Sequence, residues 1–179
     1  VATVPTPPDF TDGASSSSQL NQLRDAIKFL QRPPNAQLRQ AVVQAVTTAV
    51  WTAITFDAED IDDDTEGTGG HSTSSNTSRY TARYPGRYDL GGGMAWASNN
   101  TGVRGTYWSV NGVAQNGSQT LEATINGLDA CYSARSIEVY LAVGDYLELF
   151  AYQSSGGNLN TGITSAVEQP SAKVRWVSI

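Results

Sequence analysis

A mainly β fold, one sandwich or jelly roll preceded by an extended arm and a single short α-helix, is the architecture this sequence predicts. Three observations carry it. Charged residues make up only 16% of the chain against 39% hydrophobic, and a helical bundle would need far more Glu and Lys on its surface. Beyond Gln37, runs rich in β-branched and aromatic residues recur between Gly, Asn and Pro clusters, the punctuation of successive strands. A length of 179 residues suffices for one full hydrophobic core.

Residues 1–18 read as an extended attachment arm. Pro5, Pro7 and Pro8 favour polyproline-like backbone, and the serines at 15–18 add flexibility. Such an arm has no core of its own, so it is either disordered or laid against a partner. Residues 19–36 hold a short helix and a Pro linker. Ser18 is the expected N-cap and Pro33–Pro34 the stop. Leu20, Leu23, Ile27 and Leu30 recur at spacings of three, four and three, the seam of two heptads, with Phe29 widening the stripe. A helix this short is marginal alone. It must dock on its own domain or associate with other copies, which makes these four residues the oligomerisation or attachment candidates.

Residues 37–179 form the β domain. Ile137, Val139, Leu141 and Val143 alternate with Glu138, Tyr140 and Ala142, the pattern of a strand with one buried face. Tyr88, Leu90, Met94 and Trp96 share a face of the strand carrying Gly91–Gly93. No helix pattern follows those glycines, so they are read as a bulge or a close backbone approach, which includes approach by another subunit, and not as a phosphate cradle. Of Tyr107 and Trp108, alternation puts only one inside.

Charge and cysteine usage exclude several classes. A net charge of -6 leaves no cationic surplus for a nucleic-acid backbone. Arg79, Arg83 and Arg87 are the nearest approach to a basic cluster. No segment has the length of a membrane span, and the amino terminus lacks the charged-then-apolar pattern of a signal peptide. The lone Cys131 makes no intrachain disulfide. The lone His71 lies in a Gly- and Ser-rich segment, expected to be too flexible to serve as a base, so no catalytic site is assigned.

The order of motifs resembles the complement C1q-like domain, the jelly roll shared with the tumour necrosis factor ligands. "AITFDAE" (53–59) is similar to that family's Phe-Asp strand end, and "RYTARYPGRYDL" (79–90) to its aromatic, Pro, Gly, Tyr pattern. "VNG" (110–112) matches a hairpin turn, and "LAVGDYLEL" (141–149) the family's Gly-Asp turn into a strand. The closing strand "AKVRWVSI" lacks the Phe-Ser-Gly-Phe pattern of the animal members. With its helical leader, the chain looks most like C1q-like domains of bacteriophage virions. The resemblance implies a homotrimer on the virion surface, in tail or capsid, as fibre or decoration protein. Its arm would attach to other virion proteins, and its free surface would meet host glycans. The alternative is a monomeric carbohydrate-binding module.

Between Asp57 and Glu66, seven of ten residues are acidic. Asp60, Asp62, Asp64 and Glu66 alternate as the first ligands of a calcium loop do, but Thr65 stands where the turning glycine belongs and His71 where the closing Glu belongs. The stretch from Phe56 to Asn76 is therefore expected to be a solvated connection between strands. Calcium is the one ion it leaves open, as some C1q-like domains bind it, and no other cofactor is expected.

Overall fold

A computed structural model of the chain describes residues 2–9, 16–124, 130–163 and 165–179. Helix α1 (Ser17–Gln31) starts two residues earlier than expected, because Ser16 and not Ser18 is the cap. Only Ser16 has a Gln three residues on. Its hydroxyl accepts the Gln19 N–H at 3.2 Å while Gln19 Oε1 accepts the Ser16 N–H at 2.9 Å, a reciprocal capping box.

Two antiparallel sheets follow. The first has the order β10 (Ala130–Leu141), β6 (Gly86–Trp96), β13 (Ser171–Ser178), β1 (Asn35–Arg39), β4 (Ala58–Asp63). The second has the order β3 (Thr52–Ala53), β11 (Tyr146–Gln153), β7 (Val103–Val110), β8 (Val113–Ala114), with β5 (Tyr80–Thr81) on β11 and β9 (Thr120–Ala123) on β7. β2 (Ala45–Val46) and β12 (Leu159–Asn160) pair separately. The core lies between the sheets. Tyr88, Leu90, Met94, Trp96 and Val174 face Trp108, Leu147 and Leu149, all buried, and Tyr107 points outward as alternation requires.

Three expectations change. First, half of the acidic stretch is strand: Ala58–Asp63 pairs with β1 as the edge strand β4. A charged edge is how a sheet discourages pairing with other chains. Second, the backbone that approaches the triple glycine belongs to this chain. At Gly92, with φ of 153°, a Cβ would overlap the Ser171 carbonyl of β13. Third, the alternation in β10 stops at Leu141; Val143 lies beyond the strand and is 37% exposed.

The two turns singled out in the sequence are clasped together. Asn111 has φ of 51° and Gly112 of 77°, the mirror-image hairpin geometry that an Asn-Gly pair favours. The Asn111 amide donates to Asp145 at 2.7 Å, and its carbonyl oxygen accepts the Tyr146 N–H at 3.0 Å. Asp145 also accepts the Ala142 N–H at 2.8 Å. The Gly-Asp motif thus carries the chain from one sheet to the other.

Candidate functional site

Helix α1 divides its apolar residues between two faces. Phe29 is 1% exposed and packs on Tyr84 and Trp176, with ring centroids at 5.0 and 4.8 Å. It plugs the end of the sandwich beside Ala26. On the other face Leu20 is 53%, Ile27 46% and Leu30 68% exposed, while Leu23 is half-buried. Of the four seam candidates, none belongs to the core: three are exposed and Leu23 is half-buried. Phe29, counted in the sequence only as widening the stripe, is the anchor, and its distance of one residue from Leu30 is what the heptad pattern hid. The arm lies back along the helix: Ala2 and Val4 pack against the core, and Gln19 Nε2 donates to the Asp9 carbonyl at 3.0 Å.

The segment after β4 is a clasp, in contrast to the expected open loop. The Asp62 carboxylate accepts the Gly70 and His71 N–H groups at 3.0 and 2.8 Å. Gly69 is required there, because a Cβ would overlap that carboxylate. The His71 ring is fully covered: Nδ1 lies 2.7 Å from Glu59 Oε1 and Nε2 3.1 Å from the Thr77 carbonyl. The same carbonyl accepts the Phe56 N–H at 2.8 Å, and Asp57 accepts the Ala41 and Val42 N–H groups at 2.7 and 3.2 Å. This is the work of the Phe-Asp motif. Burial pushes the Asp62 carboxyl above its ordinary range, opposed by the two N–H donors.

The four calcium candidates are all engaged by protein partners, Asp64 and Glu66 sharing Arg83. Asp60 pairs with Arg39 at 2.9 Å, and Glu66 with Arg83 at 2.8 Å. Asp62 holds the clasp. Asp64, 2% exposed, accepts the Glu66 and Thr68 N–H groups at 2.8 and 3.1 Å and lies 3.4 Å from Arg83 Nε. The structure does not gather these carboxylates around one point, and among the described residues no group of three or more acidic, His or Cys residues is placed to share a metal ion. Cys131 is exposed on β10 opposite Ala95.

The outer face of the second sheet carries Trp51, Tyr107, Phe150 and Tyr152, all half-exposed. Tyr107 and Phe150 stack at 4.9 Å with planes 8° apart, and Trp51 tilts against Tyr107 at 4.6 Å and Tyr152 at 5.1 Å. Tyr107 and Phe150 are cross-strand partners, and Trp51 and Tyr152 pack beside them, so the rings spend their faces on each other.

No family model and no curated protein matches the sequence. Solved structures do match. Eiger TNF from S. frugiperda superposes with a TM-score of 0.54 at 10% identity, over 82% of this chain and 94% of that one. Murine APRIL at pH 8.0 gives 0.56 at 12% identity, over 79% of this chain and 98% of that one, and its pH 5.0 structure gives 0.55 at 13%. These identities speak to the fold alone: two antiparallel sheets in this order, with a plugging helix, make the chain a C1q/TNF-like jelly roll.

Proposed function

We propose that this chain is a non-enzymatic structural component of a bacteriophage particle, a homotrimeric jelly roll displayed on the virion surface in tail or capsid, where it meets host glycans. The observation that carries the trimer is the division of labour in α1. Phe29 already docks the helix, so the exposed Leu20, Ile27 and Leu30 are surplus to the monomer's own fold. Three such faces brought together around one axis would bury them, as a closed oligomer of identical subunits does. The similarity of fold to TNF ligands supports the same assembly, and the order of sequence motifs supports the virion. The arm, which packs Ala2 and Val4 against the core, is the segment proposed to attach to other virion proteins. The protein partners already held by Asp60, Asp62, Asp64 and Glu66, together with the enclosure of His71, support a role in binding and not in catalysis.

The test is location. An antibody raised against the purified chain is expected to label intact particles of the phage that encodes it, in electron micrographs. Labelling of host-cell supernatant protein but not of particles would overturn the virion assignment. The monomeric carbohydrate-binding module keeps one observation in its favour, the aromatic cluster around Trp51 and Tyr107; its mutual stacking leaves ring edges rather than faces for a sugar.

A further inference from the structure

Above the clasp, the loop 69–76 and the start of β5 enclose a depression of about 220 Å³, into which Arg79, Arg83, Ser72, Ser75, Asn76 and Thr81 project. In a chain of net charge -6, two guanidiniums line it and, among the described residues, no carboxylate does. Arg79 is held from behind. Its Nε donates to Glu148 Oε1 at 3.2 Å, and its guanidinium lies 4.0 Å from the centroid of the Tyr146 ring. Glu148 is itself 7% exposed and fixed by the Ser78 hydroxyl at 2.7 Å. The two terminal nitrogens of Arg79 donate to no described residue. They form a pre-oriented fork of the kind that fits a carboxylate or sulfate. Arg83 is fixed as the far wall by Glu66, the Thr68 carbonyl and buried Asp64, at 2.8, 3.2 and 3.4 Å; these carboxylates compensate its charge, and the anion falls to Arg79. The floor is rigid because Asp62 pins Gly70 and His71. The rim offers hydroxyls and the Asn76 amide, which has no hydrogen-bond partner among the described residues.

From this geometry we infer an anion subsite for one acidic sugar unit, with the sugar's carboxylate or sulfate on the Arg79 fork and its hydroxyls against Ser72, Ser75 and Asn76. The volume, below the ~300 Å³ of pockets for larger ligands, suits one ring rather than an oligosaccharide. Held donors lose little freedom on binding, which favours selective recognition of the charged group. The inference deepens the glycan-binding part of the proposed function and rests on it.

The experiment is saturation-transfer NMR on the full chain with galacturonic acid, its neutral counterpart galactose, and sodium sulfate as competitor. Galacturonic acid is expected to bind, galactose to bind at least about tenfold more weakly, and sulfate to displace the acid. Arg79→Gln removes the fork and should weaken galacturonic acid by about tenfold or more. Because that change also strips a partner from buried Glu148, Asn76→Asp is the second variant. Asn76 sits at φ of 49°, which Asp tolerates, and a carboxylate there should repel the ligand with the fold intact. Equal binding of acid and neutral sugar, sulfate binding without sugar binding, or unchanged binding in Asn76→Asp would each overturn the subsite. Galactose binding that both variants leave unaltered would overturn it too, while sparing the broader glycan role.

Discussion

The Tyr88 hydroxyl donates to the Tyr84 carbonyl at 2.8 Å across the Pro85–Gly86 turn and is fully buried. Burial pushes its phenol well above the ordinary tyrosine range, so the group stays a donor in the folded chain. Tyr88→Phe leaves a carbonyl without that partner and should cost about 1–2 kcal/mol, read as a lowered urea midpoint at constant slope. Asp62 adds a pH dependence of definite sign. Its folded pKa is raised, so above the unfolded value the folded chain holds a proton more tightly than the unfolded one. Its contribution to stability is therefore fully present below the unfolded pKa and is lost as pH rises through the folded value. Denaturant melts of wild type and Asp62→Asn across the acid range should show the wild-type advantage shrinking as pH rises; a widening gap would contradict the assignment. Because Asp60, Asp62, Asp64 and Glu66 already hold protein partners and do not converge on one point, a third expectation is that millimolar calcium leaves the melting temperature unchanged. A calcium-dependent rise would show by linkage that the acidic run rearranges into a site.

Among the elements, helix α1 docks through Phe29 and leaves Leu20, Ile27 and Leu30 exposed for the proposed assembly. Phe29→Ala empties a fully buried ring site and should destabilise the domain by about 3–5 kcal/mol. Replacing Leu20, Ile27 and Leu30 together with Asp touches only exposed positions, so the chain should still fold, with an unchanged far-UV spectrum, while its assembly and the stability linked to it are lost. An assembly that survives the triple change would show that the seam contributes nothing. These elements were unequally legible in the sequence. Strands β6, β10 and β13 announce themselves because one face is buried and the other solvated, which forces alternation. β4 carries Glu59, Asp60 and Asp62 at a sheet edge, where backbone pairing and not apolar burial makes the strand, so hydrophobic periodicity is silent there. The helix stripe was visible, but with Phe29 and Leu30 adjacent the pattern gives no way to tell the face that docks from the face that stays outside. The clasp was hidden for another reason. Its stability comes from Asp62 and Glu59 reaching His71 over nine and twelve residues, contacts that a local reading of Gly, Ser and Thr takes for flexibility.

At the scale of the whole molecule, the jelly roll supplies a closed core, and beyond it lie an exposed Leu/Ile face, an arm laid along α1, and a depression lined by two arginines. A monomer would leave the first of these in water. The proposed assembly about a three-fold axis would give it a partner and would place three arms on one side of the trimer. Light scattering on the purified chain reads that assembly as a mass. The account predicts about 57 kDa, three copies of the 19.0 kDa chain in a closed ring; a mass of 19.0 kDa at concentrations where the chain is folded would contradict it.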